Sequence, residues 1–268
     1  MAGGGMAERI ETPSRSQLKQ WKKLLTAKYR RREGLFLAEG GKVVAELLSS
    51  GRPVETLLVS EESAEKWRSL LDRAPVAVSV YRLTAGEWEA LSQDPSPEGV
   101  MAVAAALPAA DPSVTLASGF GPLLLLHQVN NPNNLGALLR TAHWFDFRTV
   151  LVSRGSCEVT NPKVIRTSMG SLFHLTVIDD LDFNVILPKV RGRFRIMGSD
   201  VRQGVAPHPC GSATALMMGS ESRGLPEELL VLTDERWRIP GAGEAESLSL
   251  PQAAAILMYE CVRKTKTA

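Results

Sequence analysis

The sequence is poor in the residues that staple or metallate a fold. Its 268 residues include three cysteines, Cys157, Cys210 and Cys261, and four histidines, His127, His143, His174 and His208. The cysteines lie more than fifty residues apart, which suits neither a zinc pattern nor a disulfide framework and points to a reduced, cytoplasmic compartment. There is no HExxH and no closely spaced histidine pair, so no catalytic metal is expected. Apolar runs stay well short of the roughly 18 residues a spanning helix needs, and no membrane association is expected. The opening Met1-Ala2-Gly3-Gly4-Gly5-Met6 lacks the apolar core of a signal peptide. Residues 1–13 read as a flexible leader, with Met6 as an alternative start. Internal repeats and low-complexity segments are missing too.

One local absence is informative. The net charge is only +2, yet between Ser14 and Arg32 there is no acidic residue and there are eight basic ones: Arg15, Lys19, Lys22, Lys23, Lys28, Arg30, Arg31 and Arg32. A solvated helix face normally carries both signs, so a single-sign strip is an electrostatic footprint for a polyanion. Leu18, Trp21, Leu24 and Leu25 recur at helical spacing within it, which turns the lysines outward from an amphipathic helix over 15–27.

Hydrophobic periodicity divides the rest into two α/β domains. Residues 14–106 alternate helices (15–27, 41–50, 61–72, 85–92) with short strands (35–37, 54–59, 76–81, 100–105). Residues 107–122 mix three prolines with glycine and small residues, as a linker does. From 123 to 268 apolar strands (123–127, 149–152, 174–178, 194–198, 215–218, 237–239) are separated by helices at 134–145, 162–169, 182–189, near 226–232 and 249–264. That pattern predicts a mostly parallel sheet covered on both faces.

Polar loops at the carboxyl ends of such strands are where ligands bind. Leu123-Leu124-Leu125-Leu126 leads into Asn131-Pro132-Asn133-Asn134-Leu135-Gly136-Ala137-Leu138-Leu139-Arg140-Thr141-Ala142. There is no GxGxxG after this strand, and Val152 is followed by Ser153-Arg154 with no carboxylate for a ribose, which argues against a nicotinamide-binding protein. Asn133 or Asn134 is the expected helix cap. Arg140, set among apolar neighbours, needs an anion or acceptors, or else a structural ion pair. A second segment, Gly219-Ser220-Glu221-Ser222-Arg223-Gly224-Leu225-Pro226, follows a strand with a carboxylate and a turn. A third, Ile239-Pro240-Gly241-Ala242-Gly243-Glu244-Ala245-Glu246-Ser247-Leu248-Ser249-Leu250, places a glycine-rich loop and hydroxyls before the last helix.

In this order the three segments resemble the motifs of the SpoU/TrmH family of RNA 2′-O-ribose methyltransferases in the SPOUT superfamily. Asn161-Pro162-Lys163-Val164-Ile165-Arg166-Thr167-Ser168-Met169-Gly170-Ser171 lies between the first two, and Tyr29 to Gly40 resembles the family's L30e-like substrate-binding module. The resemblance implies a methyltransferase domain with a deep trefoil knot, an exception to the unknotted rule. It further implies S-adenosylmethionine held by knot loops at Met218, Gly219, Ile239, Leu248 and Ser249, and a homodimer whose site is completed across the interface. Carried onto this sequence, the catalytic set is Asn134, Arg140, Glu221 and Ser247. The basic strip and Arg166 would contact RNA.

A ribose 2′-hydroxyl is a poor nucleophile and needs a proton acceptor or charge stabilisation. Guanidinium does not give up its proton near neutrality, so Arg140 reads as a clamp on phosphate or hydroxyl. Glu221 would orient Arg140 or accept the proton, Asn134 would bond the ribose or position the arginine, and Ser247 would fix the loop or the arginine. The family's third motif usually ends Ser-Leu-Asn; here it is Ser247-Leu248-Ser249, which keeps a hydroxyl for capping the last helix but loses the amide's reach. The expected substrate is structured RNA, 23S ribosomal RNA ahead of transfer RNA. A catalytically weakened RNA-binding or ribosome-assembly protein on the same scaffold is the alternative.

Overall fold

The computed structural model of the chain describes residues 10–106, 110–118 and 121–263. It divides into two compact units, one built from residues up to 108 together with Thr160–Phe173, the other from 109–159 together with the chain from His174 onward. Most of the expected leader, parts of the expected linker and the end of the last predicted helix lie outside the described residues.

In the first unit the elements are β1 (Ile10–Glu11), α1 (Arg15–Lys23), α2 (Ala27–Glu33), β2 (Leu35–Glu39), α3 (Gly41–Ser49), β3 (Val54–Ser60), α4 (Arg68–Leu71), β4 (Ser79–Leu83), α5 (Ala85–Glu89) and β5 (Val100–Ala105). They form a five-stranded sheet ordered β1-β4-β3-β5-β2. Ile10 and Glu11, read from sequence as leader, pair in parallel with Val80 and Tyr81. α1 opens with a capping box between Ser14 and Gln17.

The basic region is two helices rather than one. The predicted helix over 15–27 stops at Lys23, and α2 follows to Gly34, which closes it in the left-handed conformation at φ 65°. Trp21, Leu24, Leu37, Tyr81, Trp88 and Met101 share the core cluster beneath α1.

The second unit contains α6 (Pro112–Ser118), β6 (Leu123–Leu126), α7 (Pro132–Trp144) and β7 (Thr149–Ser153). α8 (Pro162–Thr167), next in sequence, packs on β2 and belongs by its contacts to the first unit. The second unit then continues with β8 (Thr176–Leu181), α9 (Phe183–Arg191), β9 (Arg195–Ser199), β10 (Thr214–Met218), α10 (Glu227–Leu230), β11 (Glu235–Trp237) and α11 (Leu250–Val262). Six strands run β11-β9-β10-β6-β7-β8, every pairing parallel. Leu123 and Leu125 pack on one face with Ile186, Leu187 and Val190 of α9. Leu124 and Leu126 are equally buried, which is why β6 is uniformly apolar rather than alternating.

Residues read as linker are partly helical. α6 inserts Leu116, only 3% exposed, into the same core cluster as Leu123 and Leu125. Its proline-, alanine- and serine-rich surroundings masked one buried anchor. Among the described residues no helix is long and apolar enough to cross a membrane, and no group of His, Cys, Asp or Glu side chains could hold a metal ion.

Leu116→Ala should lower the unfolding free energy by about 2–4 kcal/mol, as large-to-small changes in a packed core do. Urea denaturation would measure it; an unchanged midpoint would show that α6 is not docked.

Candidate active site

Parallel pairing brings the ends of β6 and β10 out side by side. Leu126 is opposite Met218, and the ladder extends one residue further through His127 N–H donating to Met218 O at 2.8 Å. The two loops that follow are therefore neighbours.

The β6–α7 loop is pinned by hydroxyls at the end of β7. Gln128 N–H donates to Ser153 Oγ (2.9 Å) and Val129 N–H to Ser156 Oγ (3.1 Å), while Cys157 N–H donates to Val129 O (2.9 Å). These bonds hold Gln128 at φ 50°, a conformation costly for a non-glycine residue and often kept at functional sites.

α7 then starts two residues earlier than predicted, at Pro132. Its cap is Asn131, whose side chain accepts from Asn133 N–H, and Pro132 occupies the first turn. The expected capping by Asn133 or Asn134 is thus corrected, and the Asn134 amide is left free for another partner.

That partner is Glu221. Asn134 Nδ2 donates to Glu221 Oε2 at 2.7 Å, joining the first turn of α7 to the tip of the β10–α10 turn. The turn is closed by reciprocal Ser220–Gly224 backbone bonds of 3.2 and 2.8 Å. A Cβ on Gly219 would lie 2.0 Å from the Gly224 carbonyl carbon, so only glycine permits this approach. Gln128, Val129, Asn130, Asn131, Asn134, Ser220, Glu221, Ser222 and Leu250 line a cleft of about 240 Å³.

Of the residues predicted to act together, Asn134 and Glu221 meet; Arg140 and Ser247 are elsewhere. Six residues along α7 separate Arg140 from Asn134, roughly 9 Å of axial rise and a different helix face. Arg140 is exposed and has no hydrogen-bond or ion-pair partner among the described residues. Glu221 therefore does not orient it within one chain. Ser247 is exposed in the loop after β11 and contacts neither Arg140 nor Glu221 through a hydrogen bond.

The predicted cofactor residues fall in two environments. Met218 and Gly219 are buried at the end of β10, whereas Ile239 is half-buried and Leu248 exposed. Gly241 to Leu248 are all exposed, and among the described residues none of them makes a hydrogen bond. Their backbone groups are available to a ligand, as cofactor binding through main-chain atoms requires. Ser249 begins α11 but does not cap it with its side chain; its hydroxyl donates to Gln252 Oε1 at 3.1 Å. The expectation that Ser249 preserves side-chain capping is corrected: its oxygen accepts from no amide of the first turn.

The basic strip is divided in the same way. Arg15, Lys19, Lys22, Lys28, Arg31 and Arg32 are exposed, and Lys23 is half-exposed. Lys23 and Arg32 lie over the Tyr29 ring at 5.5 and 4.6 Å. Arg30 is buried and donates to Leu24 O at 2.8 Å, satisfying a carbonyl at the end of α1. Arg166, predicted for RNA, is likewise used internally: it donates to Gln93 O at 3.2 Å and pairs with Asp94 at 3.4 Å.

Cleft residues not singled out from sequence are Gln128, Asn130, Asn131, Ser220 and Ser222. The Ser153 and Ser156 hydroxyls that shape the loop carried a readable signal, polar residues immediately after a buried strand.

A doubly covered parallel sheet with paired polar loops at its carboxyl edge defines a ligand-binding α/β domain. Residues 122–259 match the SpoU rRNA methylase family and residues 15–102 the MRM3-like substrate-binding domain. The chain belongs to the SpoU rRNA methylase family. It is 32% identical over 256 residues to the 23S rRNA (guanosine(2553)-2′-O)-methyltransferase RlmP of Bacillus subtilis, covering 94% of this chain and 98% of that protein. The SpoU methyltransferase AviRb of Streptomyces viridochromogenes, solved in complex with the cofactor AdoMet, superposes with a TM-score of 0.80 at 27% identity, covering 92% of this chain and 97% of that one. A TrmH-family protein from Porphyromonas gingivalis gives 0.81 at 30% identity, covering 95% and 100%.

Gly219→Ala should destabilise the protein by roughly 1–3 kcal/mol through overpacking against backbone that cannot step aside. It should also loosen the Ser220–Gly224 turn. Denaturation together with amide exchange at Gly224 tests both; wild-type protection at that amide would refute the close approach.

Proposed function

We propose that the chain transfers a methyl group from S-adenosylmethionine to a ribose 2′-hydroxyl in 23S ribosomal RNA. The observation that carries this reading is the Asn134–Glu221 bond at the rim of a cleft bounded by the first and second family segments. The cofactor supplies an electrophilic methyl on a sulfonium. Main-chain groups of residues 239–249, with Met218 and Gly219, would hold it.

This chain's part is to bind the ribose and manage its proton. The Asn134 amide occupies one oxygen of Glu221, leaving the other carboxylate oxygen and the Asn134 carbonyl free toward the cleft. A carboxylate fixed in this way can accept the 2′-hydroxyl proton, within the 10²–10⁴-fold range of general-base assistance. Arg140 serves as a clamp that stabilises developing charge.

The placement of Arg140 supports a homodimer. Trp144, four residues on and therefore on the same side of α7, is 82% exposed, and Tyr259 on the adjoining α11 is 52% exposed. An exposed tryptophan one turn from an arginine with no side-chain partner among the described residues fits a second copy of the chain, whose cleft would receive Arg140. The crossing of the chain from edge strand β11 back to α11, which packs on α7 and β10, supports the knotted path implied by the family.

The domain reading is refined in three places: Ile10–Glu11 joins the first unit's sheet, residues 160–173 go with that unit, and α6 packs into the second; the first unit is read as the L30e-like RNA-binding module and the second as the methyltransferase. Exposed Arg15, Lys19, Lys22, Lys28, Arg31 and Arg32 would contact phosphate, positioning RNA without reading its sequence. Three free cysteines support a cytoplasmic setting. Ribosomal RNA is favoured over transfer RNA by the substrate class of the relatives together with the separate substrate-binding module.

Glu221→Gln and Arg140→Ala should each lower the single-turnover methylation rate about 10²-fold or more, with S-adenosylmethionine affinity within about threefold of wild type. A wild-type rate in either variant, measured with tritiated cofactor on 23S RNA, would remove that residue from the scheme. Trp144→Glu should shift the protein from dimer to monomer in sedimentation velocity. If the site is shared, mixing Arg140→Ala with Glu221→Gln should restore activity through heterodimers that hold one intact site; no recovery, with subunit exchange verified, would place both residues in the same protomer's site.

A further inference from the structure

Behind the methyltransferase cleft, at the far end of α11, two cysteines face each other. Cys210 N–H donates to Cys261 O at 2.9 Å, and the Cys261 thiol is close enough to the Cys210 sulfur to shift its ionisation. A backbone bond of this kind sets the two residues side by side, as the short Cα separation of a disulfide requires. Cys261 is almost completely buried, whereas Cys210 is half-exposed. The pair thus has an accessible attacking sulfur and a sheltered resolving one, an asymmetry typical of redox-responsive thiols.

The surroundings favour a thiolate at Cys210. Opposing this, as a thiol it donates to His208 O at 3.2 Å, a bond that ionisation gives up. His208 Nε2 lies 2.6 Å from Glu235 Oε1, which also accepts from Trp237 Nε1 at 2.6 Å. Thr214, at the start of β10, faces the same sulfur. The hydrogen bond from Cys261 first, then the His208 charge and the Thr214 hydroxyl, bring Cys210 down to about 7 despite partial burial. Cys261 moves the opposite way, raised by its bond to Cys210 and by burial.

We propose that Cys210 and Cys261 form a reversible intramolecular disulfide under hydrogen peroxide. The Cys210 thiolate attacks one peroxide oxygen, breaking the O–O bond and giving a sulfenic acid and hydroxide. The Cys261 sulfur then displaces the sulfenic oxygen as water, with the Cys261 proton leaving in that water. Two electrons pass from the sulfurs to peroxide, which becomes one water and one hydroxide, the hydroxide taking up the proton that Cys210 released to solvent on ionising.

The bond would fasten the 200–213 segment to α11. That segment also runs along β11, through Val205 N–H to Arg236 O (3.0 Å) and Arg238 N–H to Val205 O (2.9 Å). α11 carries Leu250 of the cleft at its other end. The cross-link would therefore join both elements that flank the 239–249 loop.

The test treats the folded full-length protein with stoichiometric hydrogen peroxide, blocks remaining thiols with iodoacetamide and maps peptides by mass. Free thiols should fall from three to one, with Cys157 alkylated, a Cys210–Cys261 linked peptide 2 Da lighter than its reduced parts, and full recovery after dithiothreitol. Cys261→Ala should instead give a Cys210 adduct with dimedone, and Cys157→Ser should leave the linkage unchanged. Alkylation of Cys210 in the untreated protein should rise with pH about a midpoint near 7. Linkage through Cys157, cross-linking between chains, or Cys210 and Cys261 both alkylated after peroxide would overturn the proposal.

Discussion

The parallel register of β6 against β10 is the constraint on which the site depends. Pairing Leu126 with Met218 brings together loops that begin at His127 and Gly219, and no later adjustment could align them if the strands slipped. A slip of one residue would also turn every buried side chain of β6 to the other face. With both faces covered and all four leucines buried, that cost falls on packing throughout the second unit. The core thereby fixes the position of a polar contact, Asn134 to Glu221, between residues 87 apart in sequence.

Much of this was legible because burial on both faces leaves a strong mark. Runs such as Leu123–Leu126 and Ala215–Met218 cannot be amphipathic surface, and the Asn-Pro pair at 161–162 announces a helix start, where proline loses no needed donor. The three polar segments after strands followed from the same pattern. What stayed hidden depended on partners distant in sequence or on subtle local choices. Ala27–Glu33 carries no apolar stripe, so its helix is set by Gly34 and by Arg30 reaching back to Leu24. Arg30 and Arg166 read as RNA contacts because charge is visible in a sequence, whereas a carbonyl or Asp94 waiting for that charge is not. The choice of Asn131 over Asn134 as cap depends on which side of Pro132 the helix begins, and the site hinges on that single position.

Ser249 and Ser14 illustrate how the same residue type can start two helices differently. A serine at a helix start normally accepts from a backbone amide; Ser14 both donates to and accepts from Gln17, whereas Ser249 only donates, to Gln252 Oε1 three residues on. The first turn of α11 then relies on Pro251, which has no amide to satisfy, and on the Ser249 carbonyl accepting from Ala253. The departure from the family pattern thus removes an amide side chain without leaving its replacement idle. The exposed 241–248 loop keeps its main-chain groups unengaged, so recognition by backbone atoms does not depend on the missing asparagine.

α7 presents its two functional ends to different places. Its first turn, capped by Asn131, supplies Asn134 to Glu221; its last turns carry Arg140 and Trp144 on an exposed side. A helix is rigid over this length, so no side-chain rotation brings the guanidinium into the cleft beside Asn134 without displacing the helix itself. Melting α7 would forfeit the burial of Leu135, Leu138, Leu139 and Ala142, several kcal/mol of core packing. A second chain would offer a route that leaves the helix intact, because Trp144, one turn on from Arg140, is an exposed apolar ring that gains from being covered. On the proposed reading dimerisation and catalysis are linked: a contact that shields Trp144 would also carry Arg140 toward the carboxylate it does not reach within its own chain.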